Sequence, residues 1–426
     1  MMDFRQWLAR QEQLGALHHI TEPASPYLQV SHQLIELEPK PVIFDDVSGY
    51  RVAGNIFCSR DQFAECLQIP KAGFLSQLSR RLTHHEAKVI DRQAIYGDHE
   101  LPAVDLRQLP ILFHYPGDGG HYITSAVWIV HDPLYGRNLS YHRMMVFNER
   151  QGSVRVVENR GMSQALAHTN GKATVAICIS PPPAVSLAAS FSPPYQVDEM
   201  ELAGKLDTIE LANCKTIDIK VPVNCEMVLE GHFTGQMAEE GPFVDITGTW
   251  DVVRRQPVVE ITRIAYREQP VYHALVPGRS EHKILMGMPK ELDIFQGVNQ
   301  VCICQDVHIT SGGCSWLHAV VQIKKQSADD GRKALEAAFQ AHRSLKHCVV
   351  VDEDIDIYDI HDVEWAIATR FQADRDLIIM TDQPSSSLDP SATHIEGQKS
   401  RGAKLGLDAT IKKTGQEKKL FKRVKF

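Results

Sequence analysis

Between residues 120 and 305 the chain carries a series of short runs rich in β-branched and aromatic residues, at 124–130, 174–179, 216–221, 225–229 and 258–266, with turn residues between them. A short strand cannot bury an apolar face alone, so runs at this spacing must pair with one another. Few helical patterns interrupt them. The stretch therefore predicts a β-rich domain, closed or split-barrel-like, inserted between segments of a different kind.

The flanks are mixed. Phe4, Trp7, Leu8 and Leu14 fall near helical spacing behind Asp3, a suitable N-cap, while 28–37 and 60–67 read as further helices and 42–44 as a strand. Pro102, Pro110 and Pro116 mark an irregular exit from this part. Beyond 305, strand patterns at 319–323, 349–351 and 377–380 alternate with helical ones at 332–345 and 363–370. The expected fold is a mixed α+β chain of three parts. These are an N-terminal α/β domain over 1–115, a central split β-barrel over 116–305, and a C-terminal α/β domain with a tail over 306–426. Residues 382–403 read as a loop, and the basic run at 412–426 as a solvated end or a subunit-docking tail.

With 426 residues, 43% of them hydrophobic, the chain can bury a large core. Its 45 Lys and Arg against 53 Asp and Glu give a net charge of −8, which offers no general attraction for nucleic acid or anionic lipid. A small-molecule partner is expected. The charged, amphipathic N-terminus lacks the apolar centre of a signal peptide, and no apolar run is long enough for a membrane span. The nine cysteines include no CxxC pair, which disfavours a disulfide framework or structural zinc and suits a reducing cytoplasm. Cys302 and Cys304 read as ordinary core thiols.

Chemistry could reside in two stretches. In 240–245 (EGPFVD), Gly241-Pro242 bends the chain between two carboxylates, and paired acids in one pocket acquire separated pKa values, so that one can hold and donate a proton. Two solvated acids on a turn are the plainer alternative. In 138–143 (NLSYHR), an amide oxygen and a guanidinium lie five residues apart in a predicted strand; Arg143 suits a carboxylate of substrate or enzyme, or else a surface ion pair. Other patterns fail. Asp352, Asp354 and Asp356 alternate as in a calcium loop, but Ile357 and Val363 stand where glycine and glutamate are needed. No HExxH, GxGxxG, Walker or GxSxG pattern occurs.

Taken in order, 138–143 (NLSYHR), 198–204 (DEMELAG), 221–231 (VPVNCEMVLEG), 240–245 (EGPFVD), 312–321 (GGCSWLHAVV), 349–357 (VVVDEDIDI), 363–370 (VEWAIATR) and 402–410 (GAKLGLDAT) resemble the UbiD-like decarboxylases from about residue 3 to 411. The resemblance implies a flavin-binding β-barrel in the middle and a homodimer or homohexamer assembled through the C-terminal part. It also implies prenylated FMN supplied by a flavin prenyltransferase, a divalent metal (manganese, or magnesium) and potassium near the cofactor phosphate.

By the same resemblance, Arg143, Glu240 and Asp245 form the catalytic network, with Asp245 as proton donor. Asn138, Asn159 and Glu199 are metal ligands, and Asn138, Ser140, Arg143, Arg160 and Lys325 face the cofactor. Asn159 stands where the family commonly has histidine, which leaves Glu199 as the one charged ligand. The implied reaction is reversible, non-oxidative decarboxylation of an α,β-unsaturated or (hetero)aromatic acid, with an isoprenoid phosphate precursor among the fitting substrates. The competing readings are an FMN-dependent oxidoreductase and a catalytically silent flavin-binding assembly subunit.

Overall fold

The computed structural model describes every residue except 1, 396–397, 413–419, 422–423 and 425–426. Much of the basic tail therefore lies outside the described residues. Two compact units emerge, one formed by 1–71 with 80–285 and the other by 72–79 with 286–426.

The first unit is built on a nine-stranded sheet. Its order is His121–Ile123, Met144–Val146, Gln151–Val154, Arg254–Tyr266, Met227–Glu240, Thr174–Ile179, Val127–Asp132 and Gly136–Tyr141, with His99–Glu100 added beside Arg254–Tyr266. All of its pairings are antiparallel. Gly136–Tyr141 ends the order, whereas Met144–Val146, the next strand in the chain, is second from the opposite end. In a flat sheet, six strand spacings of ~4.8 Å would separate them by about 29 Å. Only His142 and Arg143 join them, and three Cα steps of ~3.8 Å reach no further than about 11 Å. The sheet must curl until its edges meet, which is the split-barrel expectation fulfilled. Arg143 lies at the seam.

The strand patterns place most of the elements. Thr174–Ile179 matches its sequence expectation, and the run at 225–229 opens a longer strand, Met227–Glu240. Two readings differ. Residues 215–218 are bends, with pairing confined to Lys220–Pro222. The centre also contains the helices Gly161–His168, Pro183–Ser190 and Glu199–Leu206. These pack on Val127–Asp132 and Gly136–Tyr141, which explains why consecutive residues from Val127 to Val130 are all buried instead of alternating. Trp128, Ile177, Leu229, Phe233 and Ile261 fill the inner core. A four-stranded sheet of His18–Ile20, Val42–Val47, Tyr50–Gly54 and Val271–Ala274 completes this unit's N-terminal part.

The second unit holds a five-stranded sheet ordered Ile303–Ile309, His318–Lys324, His347–Asp352, Arg401–Asp408 and Leu377–Pro384. The helices Asp330–Ala341 and Ile360–Arg370 alternate with its strands, as the periodicity predicts. The acids that mimic a calcium loop are structural, because buried Arg370 pairs with Asp352 at 3.2 Å and with Asp354 at 2.8 Å. All nine cysteines are free.

Trp128 fastens the seam, since its ring is fully buried and its Nε1 donates to the His142 carbonyl at 3.1 Å. Trp128→Ala is expected to cost about 3–5 kcal/mol of stability, measured as a lower urea midpoint; a loss under ~1 kcal/mol would mean that the ring is not a core anchor.

Candidate active site

Arg143 follows the end of a strand, not its middle as the sequence suggests, so its side chain leaves the ladder at the point of closure. Glu240 comes from the last position of Met227–Glu240 and is fully buried. It grips Arg143 in a fork, with Nε–Oε1 at 2.8 Å and Nη2–Oε2 at 3.0 Å, the arrangement in which a guanidinium is most rigidly aimed. Tyr122 donates its hydroxyl to the same Glu240 Oε1 at 3.2 Å.

Gly241, at φ +104°, then turns the chain as its lack of a Cβ permits. Phe243–Val244 pairs back on Trp250–Asp251. This small hairpin delivers three more groups to the arginine. Phe243 lies under the guanidinium at 4.3 Å, Asp251 Oδ2 accepts from Nη2 at 2.8 Å, and Asp245 Oδ2 accepts from Nη1 at 3.4 Å. Burial opposes the charge on Arg143, yet the hydrogen bonds and charge of Glu240, with the charges of Asp245 and Asp251, push its pKa up. The three predicted catalytic residues thus converge.

Sequence reasoning missed Asp251, Tyr122 and Phe243. A carboxylate six residues beyond Asp245 was the available signal, visible once 240–251 is read as a hairpin. It also missed His282, whose Nδ1 accepts from the Gly278 amide at 3.0 Å. That bond puts the neutral ring's proton on Nε2. Burial lowers the His282 pKa, with Asp245 acting in the opposite direction.

At the barrel's other edge, Asn138 and Ser140 share one face of Gly136–Tyr141. Asn138 Nδ2 donates to Glu199 Oε1 at 2.9 Å, and the Leu139 amide donates to Oε2 at 2.9 Å. Glu199 opens its helix behind Asp198, which caps Met200 and pairs with Arg137 at 2.7 Å. Burial pushes the Glu199 carboxyl up to about 7. This leaves a buried acid beside an amide oxygen that accepts from Ser140 Oγ at 3.4 Å.

Facing them is the start of Gly161–His168, so close that a Cβ on Gly161 would sit 2.5 Å from the Asn138 amide. Such a cradle of amide oxygen, carboxylate and helix N-terminus suits a hard cation together with a phosphate. Asn159 and Arg160, on the loop before that helix, are exposed; the Asn159 carbonyl accepts from Tyr195 at 2.8 Å. The residue of this loop that meets Asn138 is Gly161. Lys325 belongs to the second unit, where its ammonium donates to Thr410 Oγ1 at 2.8 Å and the Ile411 carbonyl at 3.1 Å. Among the described residues, no cluster of three or more His, Cys, Asp or Glu is placed to hold a metal.

Comparison with known proteins gives these features a context. Family models described as the 3-octaprenyl-4-hydroxybenzoate carboxy-lyase N-terminal, Rift-related and C-terminal domains match residues 8–82, 88–280 and 283–409. Anhydromevalonate phosphate decarboxylase of Methanocaldococcus jannaschii is 41% identical, over 92% of this chain and 93% of its own. The protein of the same name from Methanosarcina mazei is 39% identical, over 99% of each chain. The UbiD-class enzyme HmfF from Pelotomaculum thermopropionicum, solved in complex with FMN, superposes with a TM-score of 0.93 at 33% identity, covering 99% of this chain and 97% of its own. An evolved dimeric form of that enzyme, in complex with prFMN, gives 0.90 at 31% identity over 100% and 97%.

Beneath the 240–251 hairpin lies a turn whose Gly119 amide donates to the Pro242 carbonyl at 2.8 Å. Asp118 holds this turn by accepting from the His114 and Tyr115 amides at 3.1 and 3.0 Å. Burial pushes its carboxyl up from 3.8 to about 6, against those hydrogen bonds and Arg143. Folded chains therefore keep a proton that unfolded chains release between those two values, so this group's contribution to stability declines as pH rises through that window. Asp118→Asn preserves an acceptor oxygen and should flatten the slope of urea midpoint against pH from about 4 to 6. An unchanged slope would assign it to other groups.

Proposed function

This chain belongs to the UbiD family and is a carboxy-lyase, and we propose that its substrate is anhydromevalonate phosphate, from which it removes carbon dioxide without net oxidation. The observation that carries the chemical part is Arg143, its side chain only 9% exposed, forked onto Glu240 with Asp245 on its remaining edge. The substrate reading is supported by two relatives, both anhydromevalonate phosphate decarboxylases, aligned over more than nine-tenths of both chains.

The cofactor reading is prenylated FMN. The Asn138–Glu199 pair and the Asn159–Gly161 loop would hold its phosphate and a divalent cation, on the donor set described above. Bound there, the modified flavin supplies the electron sink for the charge left when carbon dioxide departs.

The chain's own residues do the rest. Arg143 orients the substrate carboxylate while Glu240 and Asp251 fix the guanidinium plane. Phe243, 4.3 Å from the guanidinium, keeps water from its face. Asp245, with its side chain 15% exposed, is the most open of the three acids on this cluster, and it delivers the proton that replaces carbon dioxide.

Holoprotein produced together with a flavin prenyltransferase should release carbon dioxide from anhydromevalonate phosphate faster than from furan, benzoate or acrylate acids. Protein carrying ordinary FMN should be inactive with all of them. Preference for an unphosphorylated aromatic acid would overturn the substrate. Carbon dioxide release by the FMN form would overturn the need for the prenylated cofactor, and silence with every acid would support an assembly subunit.

Asp245→Asn should fold and retain flavin, since its own amide and carbonyl make the turn with Thr249 and Gly248. It should nevertheless lose ~10²–10⁴-fold in turnover for want of a carboxylic proton. Near-normal turnover would move the donor role to Glu240 or to water.

A further inference from the structure

The turn at 114–120 bears on every element that converges on Arg143. The Gly119 amide donates to the Pro242 carbonyl, and Gly119 lies so close beneath the bend that a Cβ there would collide with the Gly241 carbonyl and sit 2.9 Å from Met145 Sδ. Gly117 meets the far end of the hairpin, where a Cβ would fall 2.8 Å from the Trp250 ring. Gly241 follows Glu240, Trp250 precedes Asp251, and Met145 stands two residues beyond Arg143. The Tyr115 hydroxyl donates to the Pro277 carbonyl at 2.8 Å, and at the next residue, Gly278, a Cβ would fall 3.0 Å from the Asp245 carbonyl oxygen. One turn thus supports the strand after the arginine, both ends of the hairpin and the segment under Asp245.

The hairpin needs that support. Its pairing consists of Phe243 with Asp251 and Val244 with Trp250, and a ribbon so short is not stable in water on its own. Where it sits is therefore decided by what it rests on. Asp118 in turn holds the seat in shape, since its Oδ2 accepts from the His114 and Tyr115 amides, bonds that are stronger than neutral ones when the acceptor is charged. Its Oδ1 is buried without a hydrogen-bond partner among the described residues. Arg143 pairs with Glu240, Asp245 and Asp251, and Asp118 is not among its ion-pair partners in the described residues.

We propose that Asp118 is a positioning residue for the reaction: by holding the 114–120 turn it sets where the hairpin sits, and with it the distance from Asp245 to Arg143. This rests on the reading of Asp245 as proton donor. At 3.4 Å, against 2.8 Å for Glu240 and Asp251, the Asp245 contact is the loosest that Arg143 makes, so a shift of the hairpin alters it first. Misplacing a reacting group by ~1 Å is enough to cost about 10²-fold in rate.

The test uses holoprotein of the wild type, Asp118→Ala, Asp118→Asn and Gly119→Ala, with turnover expressed per bound flavin. Asp118→Ala releases both amides. Gly119→Ala presses on the bend from below, and because the Gly119 backbone lies outside the left-handed region the alanine probes space alone. Both should lower kcat by roughly 10–100-fold and leave KM within about threefold of the wild type. Asp118→Asn keeps an acceptor for the amides and should retain kcat within about threefold. A merely structural role would lower the urea midpoint and the yield of loaded protein without touching kcat per flavin, and that result overturns the proposal. Equal kcat losses in Asp118→Ala and Asp118→Asn would make the charge the operative feature and overturn it as well.

Hydrogen–deuterium exchange, read peptide by peptide, supplies an arm that needs no turnover. Amides of residues 243–251 should exchange about tenfold faster in Asp118→Ala than in the wild type or Asp118→Asn. Unchanged protection of the hairpin overturns the proposal. If Asp245→Asn turns over near-normally while Asp118→Ala still loosens the hairpin, the donor reading falls and the seat stands. Where Asp118→Ala does not fold, Gly119→Ala decides on the same two readings.

Discussion

The fork between Arg143 and Glu240 is the interaction on which the first unit's design turns. It joins the residue at the seam of a nine-stranded sheet to the last residue of its longest strand, across 97 positions of sequence. A buried ion pair of this kind is weak evidence for stability, because stripping water from two charges costs as much as their attraction returns. Its value lies in direction. The guanidinium can point only where Glu240 lets it, and breaking either partner would leave a charge stranded in an apolar interior.

The surrounding structure meets that cost locally. Asp251 and the ring of Phe243 come from one short hairpin, and Tyr122 adds a hydroxyl to the carboxylate. Trp128 ties down the carbonyl of the preceding residue, His142, whose ring nitrogen in turn meets the Arg155 carbonyl at 2.9 Å. Seam, hairpin and core are therefore one constraint seen from three sides. A change in packing behind Trp128 is felt at Arg143 through two residues of chain.

Much of this was legible beforehand where the signal was local. The strands announced themselves by runs of β-branched residues, and the 240–245 stretch by a glycine-proline bend between two acids. The resemblance to UbiD-like proteins brought Arg143, Glu240 and Asp245 together before any coordinates did. What sequence could not supply was anything created by the curl of the sheet. Asp251 becomes a partner of Arg143 only once the hairpin folds back, and His282 nears Asp245 only through the turn at Gly278. The three helices packed on the barrel were missed because sheet residues buried on both faces lose their alternation, so the periodicity that marks a one-sided strand never appears. Asn159 was chosen by position along the chain, whereas the close approach to Asn138 is made by Gly161, whose lack of a side chain is invisible to a search for ligands.

The unequal hold of Arg143 on its three acids carries the chemistry one step further. Glu240, fully buried, and Asp251, less exposed than Asp245, make contacts of 2.8–3.0 Å, so together they neutralise the arginine and fix it. Asp245 sits at 3.4 Å, on a turn held by its backbone. On the proposed reading this separation divides the labour. Two carboxylates cannot leave the guanidinium without exposing a buried cation, and the third can, because its departure leaves the arginine still satisfied. A proton donor has to change charge during the reaction while its neighbours keep theirs. Of the acids on this cluster, Asp245 alone can do so without unmaking the seam that holds the site together.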